Sequence, residues 1–344
     1  MGDHMTRGEY DRLFTALVTP FKQGSYDVDE SATRDLVEYY TENETFDSLG
    51  GGFIVNPEAG EVFYLDREER QRNVELVAEE ASDEYPVFAG VFGVSREEIR
   101  TTAQDALEAG ADGLFVMPPA GTMEVTTTLD ARNNPEVWQN HVETVADVAD
   151  VPVLVHPTAP MSHEYGEGLP LESTKAVVES EPNVVGWKMT YNFRGYEKIA
   201  SYLRSLDRHV AVLGAEGSHF HAAQATGTFD GTVTGAWNFA MEPMLEHVSA
   251  WRENDVERAR RIWHERLSDL FGYVYETFSR LHIRYKLATW LRGLTSHPFM
   301  RPPMPAPNED EVDELDRLLR DAGLETIDED RQEETKRTIA AGGI

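Results

Sequence analysis

The 344-residue chain has no cysteine. Disulfides, thiolate nucleophiles and cysteine-ligated zinc are therefore excluded. Lysine is nearly as scarce. Lys22, Lys175, Lys188, Lys198, Lys286 and Lys336 are the only six, against twenty-five arginines. Positive charge of either kind is short: 31 Lys and Arg face 62 Asp and Glu, for a formal net charge of −31. That density repels phosphate and argues against a nucleic-acid partner. No apolar run approaches the roughly eighteen residues needed to span a bilayer, and the start lacks the basic-then-apolar pattern of a secretory signal. A cytoplasmic protein with no membrane partner is expected. An acidic surface rich in arginine and poor in lysine reads as halophilic, suited to a cytosol where salt screens self-repulsion. Met1-Gly-Asp-His-Met5 reads as an expression scar, with Met5 the expected native start.

Short apolar runs are plentiful, and they alternate with helical patterns up to about residue 240. The predicted strands are Phe14–Val18, Leu49–Val55, Pro86–Phe92, Gly113–Met117, Val151–His156, Val184–Met189, Val210–Gly214 and Thr232–Trp237. Continuous apolar character is what parallel strands covered on both faces require. Predicted helices fill the gaps, among them Asp66–Ala81 and Ser95–Ala109. The second of these opens on a capping box from Ser95 to Glu98. Strand then helix, repeated about eight times, predicts an α/β fold: a (β/α)₈ TIM barrel over residues 6–240. An open doubly wound sheet is the alternative, but Thr19-Pro-Phe-Lys-Gln-Gly24 lacks its glycine-rich turn. Residues 241–325 read as C-terminal helices packed on the barrel, including one long helix over Asp255–Ser279. Residues 326–344 read as a flexible tail.

In such a barrel the chemistry sits at the C-terminal ends of the strands. Those ends carry Asn56-Pro-Glu58-Ala59-Gly60-Glu61, Met117-Pro-Pro119, His156, Lys188, Gly214-Ala-Glu216 and Trp237-Asn238. Among the lysines only Lys188 closes a hydrophobic strand. Burial disfavours a charged amine, and a neutral amine attacks ketones to form a Schiff base. His156 is the candidate proton relay. The amides at Ala59-Gly60 are candidate carboxylate donors. Each residue also has a plainer reading: a snorkelling lysine at a strand end, and a satisfied histidine at a barrel rim. Tyr191 and Asn192 follow Lys188 closely enough to line a pocket, but are expected to pack. His219-Phe-His221 has ligand-type residues, but two histidines two apart point in different directions and no third ligand is evident, so no metal is expected. Glu124–Asn134 reads as a lid or a subunit contact.

Several of these segments carry a family likeness. Phe14-Thr-Ala-Leu-Val-Thr-Pro-Phe21 resembles the first-strand signature of the dihydrodipicolinate synthase / N-acetylneuraminate lyase family. Gly60-Glu61-Val-Phe-Tyr-Leu65 before Asp66-Arg-Glu-Glu, Ala109-Gly-Ala-Asp-Gly113 before Met117-Pro-Pro119, Val185-Gly-Trp-Lys-Met189, Gly231-Thr-Val-Thr234 with Asn238, and Arg301-Pro-Pro-Met304 resemble its later segments, in order and over nearly the whole chain. The resemblance implies a class I lyase barrel with no metal or other cofactor, an imine on Lys188, a small keto acid as partner, and a homo-oligomer (tetramer or dimer). It also implies substrate contacts at Glu58, Ala59, Gly60, Thr190, Gly214 and Val233.

The chain departs from that pattern at three places. Pro57-Glu58-Ala59 stands where the family has Gly-Thr-Thr, His156 where it has a relaying tyrosine, and Pro157–His163 lacks the arginine of the lysine-biosynthesis enzyme. The resemblance implies a Schiff-base lyase, aldolase or dehydratase, acting on pyruvate or a 2-keto-3-deoxy sugar acid. The missing arginine favours the sugar acid, whereas Glu58-Ala59 and His156 motivate an impaired binder. A dihydrodipicolinate synthase-like condensing enzyme and a catalytically impaired keto-acid-binding barrel are the alternatives.

Overall fold

A computed structural model describes residues 8–120, 128–215 and 217–342. Its strands are β1 (Leu13–Ala16), β2 (Gly51–Val55), β3 (Val87–Val91), β4 (Gly113–Val116), β5 (Val153–Val155), β6 (Thr158–Ser162), β7 (Gly166–Gly168), β8 (Val184–Met189), β9 (Ala211–Gly214) and β10 (Gly231–Thr234). Eight of them close a barrel in the order β1-β10-β9-β8-β5-β4-β3-β2. Helices fill the connections: α1 (Glu30–Thr41), α2 (Glu44–Ser48), α3 (Arg67–Ala81), α4 (Arg96–Glu108), α5 (Glu136–Ala146), α6 (Leu171–Ser180), α7 (Phe193–Arg204) and α8 (Phe220–Ala225). This is the TIM barrel the alternating apolar runs predict. Asp66 and Ser95 cap α3 and α4, each in a full capping box with the glutamate three residues on, which satisfies N–H groups left open at a helix start.

The chain divides into two compact units that interleave along the sequence. The first ends its opening segment at Phe14 and continues through Gly50–Ile54 and Tyr85–Val233. The second comprises Thr15–Leu49, Val55–Glu84 and the chain from Thr234 onward.

Register organises the first unit. Phe115 pairs with Leu154, Leu154 with Gly186, Gly186 with Ala211, Lys188 with Leu213, and Leu213 with Gly231. Paired residues of parallel strands share a face, and faces alternate along a strand. One face therefore carries Phe115, Leu154, Gly186, Lys188, Leu213 and Gly231. The other carries Val116, Val155, Trp187 and Val212. Both faces are buried, as a parallel sheet demands. Trp187 marks the outer one: its Nε1 donates to the Tyr191 hydroxyl at 3.0 Å, and that hydroxyl donates to the Leu169 carbonyl just before α6.

β6 and β7 form a separate antiparallel hairpin that the sequence does not announce. Thr158-Ala-Pro-Met-Ser162 has a central proline and no apolar alternation, so neither strand signal operates.

In the second unit the C-terminal helices are α9 (Trp237–Arg252), α10 (Val256–Ile262), α11 (Ser268–Glu276), α12 (Leu281–Leu291), α13 (Glu309–Asp321) and α14 (Glu329–Ala340). The single helix expected over Asp255–Ser279 is interrupted by a π-helical turn at Trp263–Leu267 and stops at Glu276. Where composition reads as a flexible tail, α14 is helical. Asp328 caps it, Gln332 is buried with its amide on Asp316 Oδ1 (2.8 Å), and Lys336 pairs with Asp313. Long-range polar contacts order a segment that has little apolar surface of its own.

His297 is expected to give this unit a pH dependence. Its Nδ1 accepts from the Phe299 amide at 3.1 Å, so the ring proton of the neutral form sits on Nε2. Burial, then the nearby Lys286 charge, pushes its pKa down to about 4 from 6.5. Burial likewise lowers His141 and His219, which lie in the first unit. A depressed histidine pKa means that the unfolded chain takes up the proton first. The contribution is present above pH 6.5 and is lost as pH falls towards 4. Thermal melts across that window should show a falling Tm, with a flatter profile in His297→Gln. An unchanged slope in that variant would rule out His297 as a contributor.

Candidate active site

Lys188 is the penultimate residue of β8, at the C-terminal end of the strand. Its neighbours Trp187 and Met189 are fully buried, while Lys188 itself is half-buried. Gly186 lies two residues earlier on the same face. A Cβ there would meet Leu154 Cδ2 at 2.5 Å and Leu213 Cδ1 at 2.9 Å. A larger residue beneath the lysine would therefore have to displace two core leucines.

His156 follows β5, and its amide continues the ladder to the Val116 carbonyl at 2.9 Å. Its side chain is 2% exposed. The ring stacks on Phe115, with centroids 5.8 Å apart and an interplanar angle of 13°. Lys188 Nζ lies 5.8 Å from the same Phe115 centroid. An aromatic face at that range attracts an ammonium. The amine, the imidazole and the benzyl ring thus form one cluster on the inner face of the barrel.

The other expected contacts of this unit divide. Val233 follows Gly231 by two and shares its face, fully buried. Thr190 is 4% exposed, its amide bonds back to the Lys188 carbonyl at 3.1 Å, and its hydroxyl has no hydrogen-bond partner among the described residues. Gly214 is one step out of register. It pairs with Met189 rather than Lys188, and a Cβ there would meet the Phe229 ring at 3.6 Å. Only its backbone is available at the strand end. Tyr191 packs behind β8. His219 sits edge-on to Phe193 and Tyr196. Glu216 and residues 124–127 of the polar stretch expected as a lid or a subunit contact lie outside the described residues.

In the second unit, Glu58–Gly60 forms a single 3₁₀ turn directly after β2. The Gly60 amide donates to the Pro57 carbonyl at 3.0 Å, so one of the two amides expected to bind a carboxylate is already engaged. Gly60 is sterically required: a Cβ would lie 2.7 Å from the Leu17 carbonyl oxygen, and Thr19 Oγ1 donates to the Gly60 carbonyl at 2.7 Å. Ala59 is buried and Glu58 half-buried. Asn238 ties the end of β1 instead of lining a site. Its Nδ2 donates to the Ala16 and Gly235 carbonyls at 2.8 Å each, and its Oδ1 accepts from the Val18 amide.

Glu61 stands in the strand-end segment and Lys286 among the six lysines, but the sequence pattern assigns neither a role. Both side chains are almost wholly buried and they form an ion pair at 2.5 Å. They are 225 residues apart, so no local motif links them. The one signal was a lysine inside the apolar helix Leu281–Leu291.

Among the described residues one group has the composition of a metal site, Asp11, His209 and Asp230. Its donors are already engaged. Arg204 holds both Asp230 oxygens at 2.6 and 2.7 Å, and His209 Nε2 contacts Asp11 Oδ1 at 2.6 Å. A guanidinium in that position competes with a cation, and the group reads as an ion-pair network.

Residues 9–322 match the model of the dihydrodipicolinate synthetase family. The chain belongs to that family. Its relatives include the 4-hydroxy-tetrahydrodipicolinate synthase of Aquifex aeolicus, 28% identical over 302 residues, which covers 87% of this chain and 94% of the relative. The synthase of Methanopyrus kandleri is 25% identical, covering 92% and 97%. Among solved structures, the Aquifex aeolicus dihydrodipicolinate synthase superposes with a TM-score of 0.76 at 23% identity, covering 94% of this chain and all of that one. A prophage protein of the family from E. coli K12, in complex with pyruvate, gives 0.77 at 21%, covering 92% and all of that chain. The dihydrodipicolinate synthetase family consists of class I lyases that work through a lysine imine without a metal cofactor. Identities this low make the chain a divergent member.

Proposed function

We propose that the chain is a Schiff-base-forming lyase acting on pyruvate or a 2-keto-3-deoxy sugar acid. The observation that carries the reading is the cluster of Lys188, Phe115 and His156 at the C-terminal end of the barrel strands. The Lys188 amine adds to the C2 ketone, the carbinolamine loses water, and the resulting iminium at C2 can accept an electron pair from C3. In cleavage the C3–C4 bond breaks, the C4 hydroxyl gives up its proton as the aldehyde fragment leaves, and the resulting enamine takes up a proton at C3 before hydrolysis frees the amine. In dehydration C3 loses a proton and the C4 hydroxyl departs as water. His156 is the group assigned to carry the proton in either branch.

Sugar-acid chemistry is supported by Thr190. Its buried hydroxyl has no partner among the described residues, an unpaired buried hydroxyl is costly, and a substrate hydroxyl would satisfy it. Condensation of pyruvate with an aldehyde is the second reading, favoured by the synthase names of the relatives. Product analysis separates the two.

Intact mass after borohydride reduction tests the proposal. Incubation with pyruvate or a keto-deoxy acid should add the mass of the reduced adduct once per chain, on Lys188. No adduct with any keto acid would sink the reading. His156→Phe keeps the stack on Phe115 and removes the ring nitrogens. Its kcat should fall about 10²-fold, with capture by borohydride retained. An unchanged kcat would return His156 to a packing role.

A further inference from the structure

A chain of hydrogen bonds links the residue before Lys188 to the residue after His156. Trp187 donates from Nε1 to the Tyr191 hydroxyl at 3.0 Å. That hydroxyl donates to the Leu169 carbonyl at 3.2 Å. The Leu169 amide in turn donates to the Pro157 carbonyl at 3.1 Å. All of these residues belong to the first compact unit.

Tyr191 is the middle link. It is 0% exposed, and burial pushes its phenol pKa up, so the hydroxyl keeps its proton near neutrality. Two glycines make room for its ring. A Cβ on Gly168 would lie 2.0 Å from the ring Cδ1, and one on Gly195 would lie 3.1 Å from the same atom. Gly168 ends β7, and Gly195 stands in the first turn of α7. The ring is therefore wedged against both the hairpin that follows His156 and the helix that follows Lys188. A phenylalanine would fill the same slot. The hydroxyl is what joins the two sides.

The barrel ladder alone does not fix this spacing. β5 and β8 pair Val153 with Val184 and Leu154 with Gly186, so the register slips by one and Val185 is left over. Such a bulge bends a strand and disrupts the ladder locally. Proton transfer is sensitive to the same distance: a misplacement of about 1 Å costs on the order of 10²-fold.

We infer that Tyr191 is a positioning residue, whose hydroxyl ties the end of β5 with His156 to the end of β8 with Lys188 and so sets the path of the proton between imidazole and bound substrate. This rests on the proposed lyase function and on His156 as its proton carrier.

Exchange of the pyruvate methyl protons in D2O isolates that step. The Lys188 iminium of pyruvate gives up a C3 proton to His156, and the enamine takes back a deuteron from the same group. The cycle comprises parent, Y191F, H156F and Y191F/H156F, each rate divided by the fraction of chains that borohydride captures with pyruvate. Y191F should exchange about tenfold more slowly than the parent, with capture retained. In the H156F background the same change should matter by less than about twofold, because no imidazole is left to misplace. A parental exchange rate in Y191F would overturn the inference. So would an equal loss in both backgrounds, which marks a packing role felt by the whole site. Y191F leaves Trp187 Nε1 and the Leu169 carbonyl short of a partner and should melt below the parent. Should it not fold, W187F breaks the chain from the β8 side and keeps the bond from Tyr191 to Leu169. W187F should reproduce both the loss and its dependence on His156; a parental rate, or a second failure to fold, would overturn the inference. A parent that captures pyruvate yet exchanges no deuterium would overturn it too, since no proton is then passed. The lyase reading fails separately, when the parent captures no pyruvate at all.

Discussion

Lys188→Ala is expected to abolish turnover and reductive capture together. The loss should be about 10³-fold or more in kcat/KM, because the covalent route disappears with the amine. The fold should survive the change. Lys188 is half-buried at a strand end, and the substitution removes a side chain whose head lies 5.8 Å from the centroid of the Phe115 ring without breaking a backbone hydrogen bond. Gly186 and Leu213, its neighbours on the same face, keep their packing. Circular dichroism and a melt near the parental Tm would establish that the protein is intact. Mass spectrometry after borohydride would then show no adduct with a keto acid that modifies the parent. Persistent turnover in this variant would remove the imine mechanism entirely. Persistent adduct on another lysine would move the mechanism to that residue, and Lys286 would be examined first because it is the most buried of the six.

The largest effect on stability is expected at Gly231. A Cβ added there would lie 1.9 Å from the Arg12 carbonyl oxygen and 2.7 and 2.8 Å from the Arg12 carbonyl carbon and amide nitrogen. These are backbone atoms of the chain entering β1, and the Thr232 amide is bonded to that same carbonyl at 2.9 Å. A flexible side chain could rotate away; a hydrogen-bonded strand cannot without opening the ladder. Gly231→Ala should therefore cost about 3 kcal/mol or more, or fail to yield soluble protein. Gly272 is the internal control. It lies inside α11, and an added Cβ there meets nothing within 4 Å. Gly272→Ala should stabilise by roughly 0.5–1 kcal/mol, because alanine loses less backbone entropy in a helix. Denaturant melts of the two variants should move in opposite directions. A Gly231→Ala protein as stable as the parent would contradict the close approach of β10 to the strand beside it.

Much of this architecture was readable from residue order. Runs such as Val184–Met189 are apolar at nearly every position, and only a strand covered on both faces needs that. The Ser95–Glu98 capping box and the aspartate opening Asp66–Ala81 marked helix starts, and the structure caps both, adding Glu69 as the partner of Asp66. The candidate site was partly legible as a set of residues. Lys188 and His156 stood out because an ionisable residue at the end of an apolar strand is unusual. What was missed shares one physical property. The β6–β7 hairpin is set by pairing with itself across a turn and carries no apolar alternation. The α14 helix is held by Gln332 and Lys336 reaching back to α13. Glu61 and Lys286 are joined by a contact that spans most of the chain. In each case the stabilising partner lies outside the window that periodicity can scan.

Composition and pattern alone determined that this is an acidic, cysteine-free α/β barrel with one lysine closing a buried strand. Those properties follow from local chemistry: which side chains can be buried, which period they repeat at, and which residues cap a helix. Tertiary structure alone decided that His156 shares the Phe115 ring with that lysine, that Gly214 turns its outer side to Phe229, and that a buried glutamate and lysine pair. These depend on register and on chain closure, and neither is encoded in any short stretch of residues.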